Sequence, residues 1–239
     1  MSIDQDRILL AELEPFLDEL HKMKSHERVA YFEKADGFTF FLWWVFYFPE
    51  SFHCELAPFH FDAIHYYMDT DLNILWEGFR SCLKTEITKI YMVNSICYRR
   101  WNYIVVQSYD SDSSEDMVTN ISRMLNKGIL VHDYGELYPF NTAKSDFAKK
   151  GVANFDTTNG VKVKSKALLE KLRGAANYNE DEGTARPDLL VLDDIDTTDS
   201  VRNVMIVDKN DTKLRQETIG AMSQEKQRII FLGNTITVD

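Results

Sequence analysis

Three short apolar runs, Tyr103–Val106 (YIVV), Asp188–Leu192 (DLLVL) and Arg228–Leu232 (RIIFL), most constrain what this chain can fold into. Each is rich in aliphatic and β-branched residues and bounded by turn-forming or charged residues, so each reads as a buried strand. Strands apolar along their whole length are buried on both faces, as in a parallel sheet covered by helices. The segments between them supply the helices. Thr85–Arg99 has helical spacing, and Ser111–Leu125 opens with SDSSED, good N-cap chemistry, before continuing as a helix. Leu72–Trp76 is a further short apolar strand that leads into Gly78. Strand, helix, strand, helix is the order of an α/β fold with a mostly parallel sheet.

The flanking segments are of other kinds. Residues 4–32 carry apolar positions at helical spacing (Ile8, Leu9, Leu13, Phe16, Leu20), which predicts an N-terminal helix. The run Phe38–Phe48 (FTFFLWWVFYF) is well short of the roughly 20 residues a membrane-spanning helix needs. It reads as a buried strand or a core helix, with a patch that recruits another domain as the remaining reading. His60–Met68 is a further predicted helix. Between residues 126 and 165, glycine and asparagine punctuate the chain, and Val152–Asp156 and Val161–Lys164 flank TTNG as a hairpin. Residues 174–186 are polar, acidic and glycine-containing, and read as a loop. Asp199–Gln224 reads mostly as a helix. The chain so divides into a helical and aromatic extension over residues 1–50 and an α/β domain over residues 51–239.

Composition narrows the function classes. With 44% hydrophobic and 27% charged residues, the chain is neither disordered nor a membrane protein. The N-terminus, MSIDQDRILLAELEPFLDEL, is acidic and amphipathic rather than basic then apolar, so no signal peptide is read. Cys54, Cys82 and Cys97 form no CxxC pair, which suggests reduced thiols in a cytosolic setting and no zinc site. His53, His60 and His65 have no metal-ligand spacing. The net charge of −11 argues against a surface that grips a duplex by itself.

Chemistry concentrates in three places. Gly78-Phe79-Arg80-Ser81-Cys82-Leu83-Lys84-Thr85 lies between a strand and a helix and meets the phosphate-loop (Walker A) template GxxxxGK[ST] at Gly78, Lys84 and Thr85, missing it at Leu83. Backbone N–H groups of such a loop surround phosphate oxygens, a lysine reaches the β- and γ-phosphates, and a threonine hydroxyl ligates Mg2+. Pro187–Asp194 is an apolar strand ending in two carboxylates, as in a Walker B strand. In a P-loop fold this puts Asp193 where it holds Mg2+ and Asp194 where it acts as general base on an attacking water; the other reading is a strand that ends in a solvated acidic turn. Ile229–Thr235 is a strand ending in small polar residues, where Asn234 or Thr235 would sense a γ-phosphate, or where Asn234 simply forms a turn. The expected ligands are ATP and Mg2+.

These residues resemble the large terminase subunit of tailed bacteriophages, the ATP-driven DNA-packaging motor. FRSCLKTE is similar to its deviant phosphate loop, with an arginine early in the loop. RPDLLVLDDID, Arg186–Asp196, resembles its acidic strand, and LRG at Leu172–Gly174 and IIFLGNT its later motifs. APFHFDAI is similar to the family's segment near the adenine. The likeness covers roughly residues 50–239. It implies a P-loop NTPase fold of ASCE type and an ATP hydrolase that drives double-stranded DNA into a procapsid. It implies Gly78, Arg80, Ser81, Cys82, Leu83, Lys84, Thr85 and His60 as nucleotide-binding residues, and Thr85 and Asp193 as the metal site. Asp194, Arg80 and Arg173 would be catalytic, with Arg173, or else Arg186, donated to a neighbouring subunit. Gly233, Asn234 and Thr235 would couple hydrolysis to motion.

The implied partners are double-stranded DNA, the portal protein and the small terminase subunit. The implied assembly is a homo-oligomeric ring, a pentamer when active, with a monomer expected for the isolated domain. The implied location is the host cytoplasm. Two departures stand out. Leu83 replaces a small residue, and relatives carry a C-terminal nuclease of ribonuclease-H type that is not expected within these 239 residues, so the chain reads as a motor fragment. The other readings are a different P-loop translocase or helicase, and a nucleotide-binding module that does not hydrolyse.

Overall fold

The computed structural model describes residues 3–52, 56–138, 154–168, 170, 177–179, 183–195 and 204–234. In chain order the strands are β1 (Ile74–Gly78), β2 (Tyr103–Ser108), β3 (Asn154–Asp156), β4 (Lys162–Ala167), β5 (Asn177–Asn179), β6 (Gly183–Ala185), β7 (Leu189–Asp193) and β8 (Arg228–Asn234). Six of them form a mixed, mostly parallel sheet in the order β1-β8-β7-β2-β4-β3, in which β3 alone runs antiparallel, against β4. All six residues of β2 are buried, as are the first four of β7, which is why neither shows a polar alternation.

Helices cover the sheet because parallel neighbours need crossover connections. The helices are α1 (Ile3–Lys22), α2 (Ser25–Phe32), α3 (Gly37–Tyr47), α4 (Pro58–Asp69), α5 (Lys84–Cys97), α6 (Ser111–Leu125), α7 (Gly128–Tyr134) and α8 (Val204–Lys213). Alternate residues of the central strands serve two cores. Ile104, Val106, Leu189, Val191, Ile230 and Leu232 pack with Ile87, Ile90 and Val93 of α5 and with Val118 and Ile121 of α6. Tyr103, Val105, Leu190 and Leu192 face the other way, towards Leu168, Ile195 and Met222.

The aromatic run is a core helix. In α3 every residue except Phe38 is buried, which explains a sequence apolar all round rather than on one stripe. Asp36 starts it, accepting from the Thr39 amide at 2.8 Å. The expected helix over residues 4–32 is two helices. The break falls at Lys24, whose backbone N–H donates to Glu27 Oε2 at 2.9 Å and so begins α2 afresh.

Other expectations shift. The strand expected at Leu72–Trp76 lies two residues later, as β1. The hairpin around TTNG is present as β3 and β4, with Gly160 at φ +91° in the turn; Val152 lies outside the described residues. The stretch read as a loop over 174–186 contains β5 and β6, antiparallel, with Tyr178 opposite Thr184. The helix expected over Asp199–Gln224 is shorter. α8 gives way to a π-helical turn at Leu214–Thr218 and a 3-10 turn at Ile219–Ala221, which change the winding so that Thr218 and Met222 are both buried. α7 is an addition: Gly128 and Gly135, read as loop punctuation, begin it and cap its end, Gly135 at φ +78°.

Two polar devices hold the layers together. Asp133 of α7 has a fully buried carboxylate that accepts from Arg28 Nε and Nη2 at 2.6 and 2.7 Å, from Tyr47 Oη at 2.6 Å and from Ser25 Oγ at 2.7 Å. Burial alone would raise its pKa, but these donors outweigh it and hold the carboxyl well below the usual range. Arg228, also buried, donates to the carbonyls of Tyr66 and Tyr67 at 2.7 Å and of Leu72 at 2.9 Å. It thereby satisfies the free C-terminal carbonyls of α4 and ties that helix to the start of β8.

Replacing Asp133 by Ala leaves Arg28 buried without its partner, and the expected loss is about 3–5 kcal/mol in urea unfolding. Its folded pKa is depressed, so its contribution is complete above the ordinary carboxylate value of about 4 and drains away as the pH falls below it. Asp133→Ala should flatten that acid limb of the stability profile; an unchanged limb would show that the network does not act this way.

Candidate functional site

The parallel register brings the C-terminal ends of β1, β8 and β7 to one edge of the sheet. Gly78 pairs with Asn234, and Asp193 with both Leu232 and Ser108. Crevices at such strand ends, where connections part to either side, are where open α/β sheets hold ligands. Here the β1–α5 turn borders a cavity of about 370 Å³ lined by Ser81–Glu86 and Lys89.

The turn is tight and strained. Ser81 and Leu83 have φ of +66° and +60°, in the left-handed region where a β-carbon costs roughly 1–2 kcal/mol. Gly78 is favoured by proximity: a β-carbon there would lie 2.9 Å from Cys82 Sγ, which would have to move. Leu83 is the N-cap position of α5 and gives no side-chain hydrogen bond to its first turn, so those N–H groups point outward uncapped. A helix start of this kind attracts anions.

Lys84 is buried against this turn. Its Nζ donates to Asn234 Oδ1 at 2.7 Å and to the Phe79 carbonyl at 3.3 Å. Asn234 in turn donates from Nδ2 to Asp194 Oδ1 at 2.6 Å. Thr85 Oγ1 donates to Asp193 at 3.2 Å. The structure therefore brings Gly78, Lys84, Thr85, Asp193, Asp194, Gly233 and Asn234, drawn from three strands, one helix and the residue that follows β7, to a single edge. Asp194 adopts φ +46°, which a short polar side chain tolerates, and its N–H donates to the Leu232 carbonyl at 3.3 Å.

Asp193 is electrostatically uneasy. Burial first, and the adjacent Asp194 charge second, push its pKa up to about 6, against the hydrogen bond from Thr85 and the attraction of Lys84 and Lys89. A hydroxyl and a carboxylate facing each other, with a second carboxylate beside them, are hard oxygen donors and suit a cation such as Mg2+, which needs only one or two protein ligands.

The remaining assigned residues fall elsewhere. Arg80 and Ser81 are exposed on the lip of the turn, and Cys82 is buried beneath it. His60 is buried under the turn, with Nδ1 accepting from the Ala57 N–H at 2.8 Å and Nε2 bonded to the Cys82 carbonyl at 3.2 Å. Arg186 is exposed between β6 and β7, three residues ahead of β7 and away from the acidic pair at that strand's far end. Arg173 and Thr235 lie outside the described residues. Lys89, on the cavity wall and paired with Glu86 at 2.5 Å, was not singled out from the sequence; its spacing of four from Thr85 puts both on one helix face.

Asp188 explains the Arg-Pro-Asp lead-in structurally. Its carboxylate accepts from the Asn102 and Tyr103 N–H groups, both at 2.8 Å, and so pins the start of β2 beside β7. No protein-family model matches the chain, and no curated protein matches it either.

Proposed function

We propose that the chain is a P-loop ATPase of ASCE type, with the β1–α5 turn as its phosphate loop and β7 as its acidic strand. The observation that carries this reading is the meeting of Lys84, Thr85 and the Asp193–Asp194 pair at one sheet edge, with Asn234 bridging lysine and carboxylate across 150 residues of sequence. The strand order supports it further, because β8 lies between the phosphate-loop strand and the acidic strand.

In this reading the uncapped amides of α5 and the Lys84 ammonium bind the β- and γ-phosphates. Thr85 and Asp193 would hold Mg2+, which supplies neutralising charge for the developing phosphate oxyanions. Asp194 accepts the proton of a water whose oxygen attacks the γ-phosphorus, while the bond to ADP breaks. Arg80, exposed on the lip, would be the residue that senses or stabilises the γ-phosphate. Lys84 must exchange its Asn234 contact for phosphate, and this frees Asn234 and loosens its hold on Asp194.

The resemblance of FRSCLKTE, RPDLLVLDDID and IIFLGNT to large terminase motifs extends the proposal to a phage DNA-packaging motor. Double-stranded DNA, portal, small terminase subunit and a homo-oligomeric ring in the host cytoplasm would be its setting. With a charge of −11, the grip on DNA would come from the ring or another domain. The strained Leu83 favours one other reading, a module that binds nucleotide without hydrolysing it.

Lys84→Ala is expected to weaken binding of a fluorescent ATP analogue by about ten- to hundredfold, the worth of a charge-assisted hydrogen bond. Asp194→Asn should bind as wild type yet lose about 100- to 10,000-fold in phosphate release, the usual weight of a general base. Normal turnover by Asp194→Asn would remove the catalytic assignment. Binding without any release by the wild type, in the presence of Mg2+, would select the non-hydrolysing module.

A further inference from the structure

We propose that His60 is a positioning residue that clamps the phosphate loop, holding the strained Ser81–Leu83 stretch in the shape that presents Lys84. The inference rests on the reading of residues 78–85 as that loop, and it concerns what keeps the loop in place.

The geometry leaves the ring one arrangement. Nδ1 accepts from the Ala57 N–H at 2.8 Å, so the ring proton sits on Nε2, which donates to the Cys82 carbonyl at 3.2 Å. The ring is only 3% exposed, and burial lowers its pKa, in keeping with a neutral imidazole. Neither nitrogen is left for a nucleotide, so the contact with the loop backbone is what the ring provides.

The loop needs such a hold. The Cys82 peptide lies between Ser81 and Leu83, both left-handed, and Leu83 carries a branched side chain where glycine would be unstrained. Strain of this kind persists only where the surroundings over-determine it. The first turn of α4 supplies them: beside His60, the Phe59 ring meets the Phe79 ring edge-on, with centroids 6.2 Å apart. α4 itself is fixed at its far end by Arg228, so the clamp is attached to the sheet rather than to a free helix. The clamp compensates for Leu83.

A double-mutant cycle on the full chain tests this. His60→Phe keeps the ring volume and removes both nitrogens; His60→Gln keeps a donor. The expected result is that His60→Phe weakens binding of a fluorescent ADP analogue about tenfold, the net worth of one hydrogen bond. His60→Gln should restore binding towards wild type, and the His60→Phe penalty should largely vanish when Leu83→Gly is also present. An equal penalty with leucine or glycine at position 83, or no penalty at all, would overturn the proposal. Circular dichroism checks that each variant is folded. Wild type, His60→Phe, Leu83→Gly and the double variant are also unfolded in urea, where coupling between positions 60 and 83 is read without nucleotide. If the wild type binds no nucleotide, the ATPase reading fails, while coupling in urea still supports the clamp and its absence still overturns it.

Discussion

β8 is fixed at both of its ends by side chains that reach other elements. At its start Arg228 binds the last carbonyls of α4, and at its finish Asn234 joins Lys84 to Asp194. Between these ends it pairs in parallel with β1 on one side and β7 on the other. The spacing of Lys84 from the two carboxylates is therefore set by the width of one strand. Take β8 away and the β1–α5 turn and the acidic pair have no common frame. The helix that carries His60 would also lose its anchor.

The site gathers charge that the fold does not neutralise by itself. Two carboxylates are adjacent at the end of a buried strand, and the pKa of one of them, Asp193, is pushed up to about 6 by burial and by its neighbour. Lys84 is bonded to a neutral amide and a carbonyl rather than paired with either acid directly. Uncapped helix amides face the same cavity. A buried ammonium and a pair of carboxylates so sit side by side at one sheet edge. Asn234 is the neutral spacer that keeps the two halves from collapsing onto one another.

Contiguous signals were legible in the sequence, and signals spread across the fold were not. The acidic strand could be read because its apolar run and its two aspartates are consecutive. The turn between β1 and α5 could be read from Gly78 and the helical spacing that follows, although the left-handed conformation of Leu83, at φ +60°, left no mark in the sequence. The aromatic run left strand and helix open because a helix buried on every side has no periodicity to show. α7 went unread because its bounding glycines look the same in a loop and in a helix that they start and cap. The partners of Asp133, Arg228 and Asp188 carry no local mark. Each of these charged residues binds groups far along the chain, and an isolated charged residue in a sequence says nothing of partners 85 or 161 residues away.

The division near residue 50 marks a change in composition, not a break in packing. Phe40 of α3 meets Tyr91 of α5 edge-on, with centroids 6.5 Å apart, and Lys127 donates to the Tyr47 carbonyl at 2.5 Å. Leu13, Trp43, Ile87 and Val106 belong to one continuous core. The helical layer is thus the wall against which α5 is packed, and α5 is the helix whose first turn carries Lys84 and Thr85. Rigidity at that turn is inherited from aromatic contacts at the other end of the chain, because a helix pressed between a sheet and a second helical layer cannot tilt without opening both.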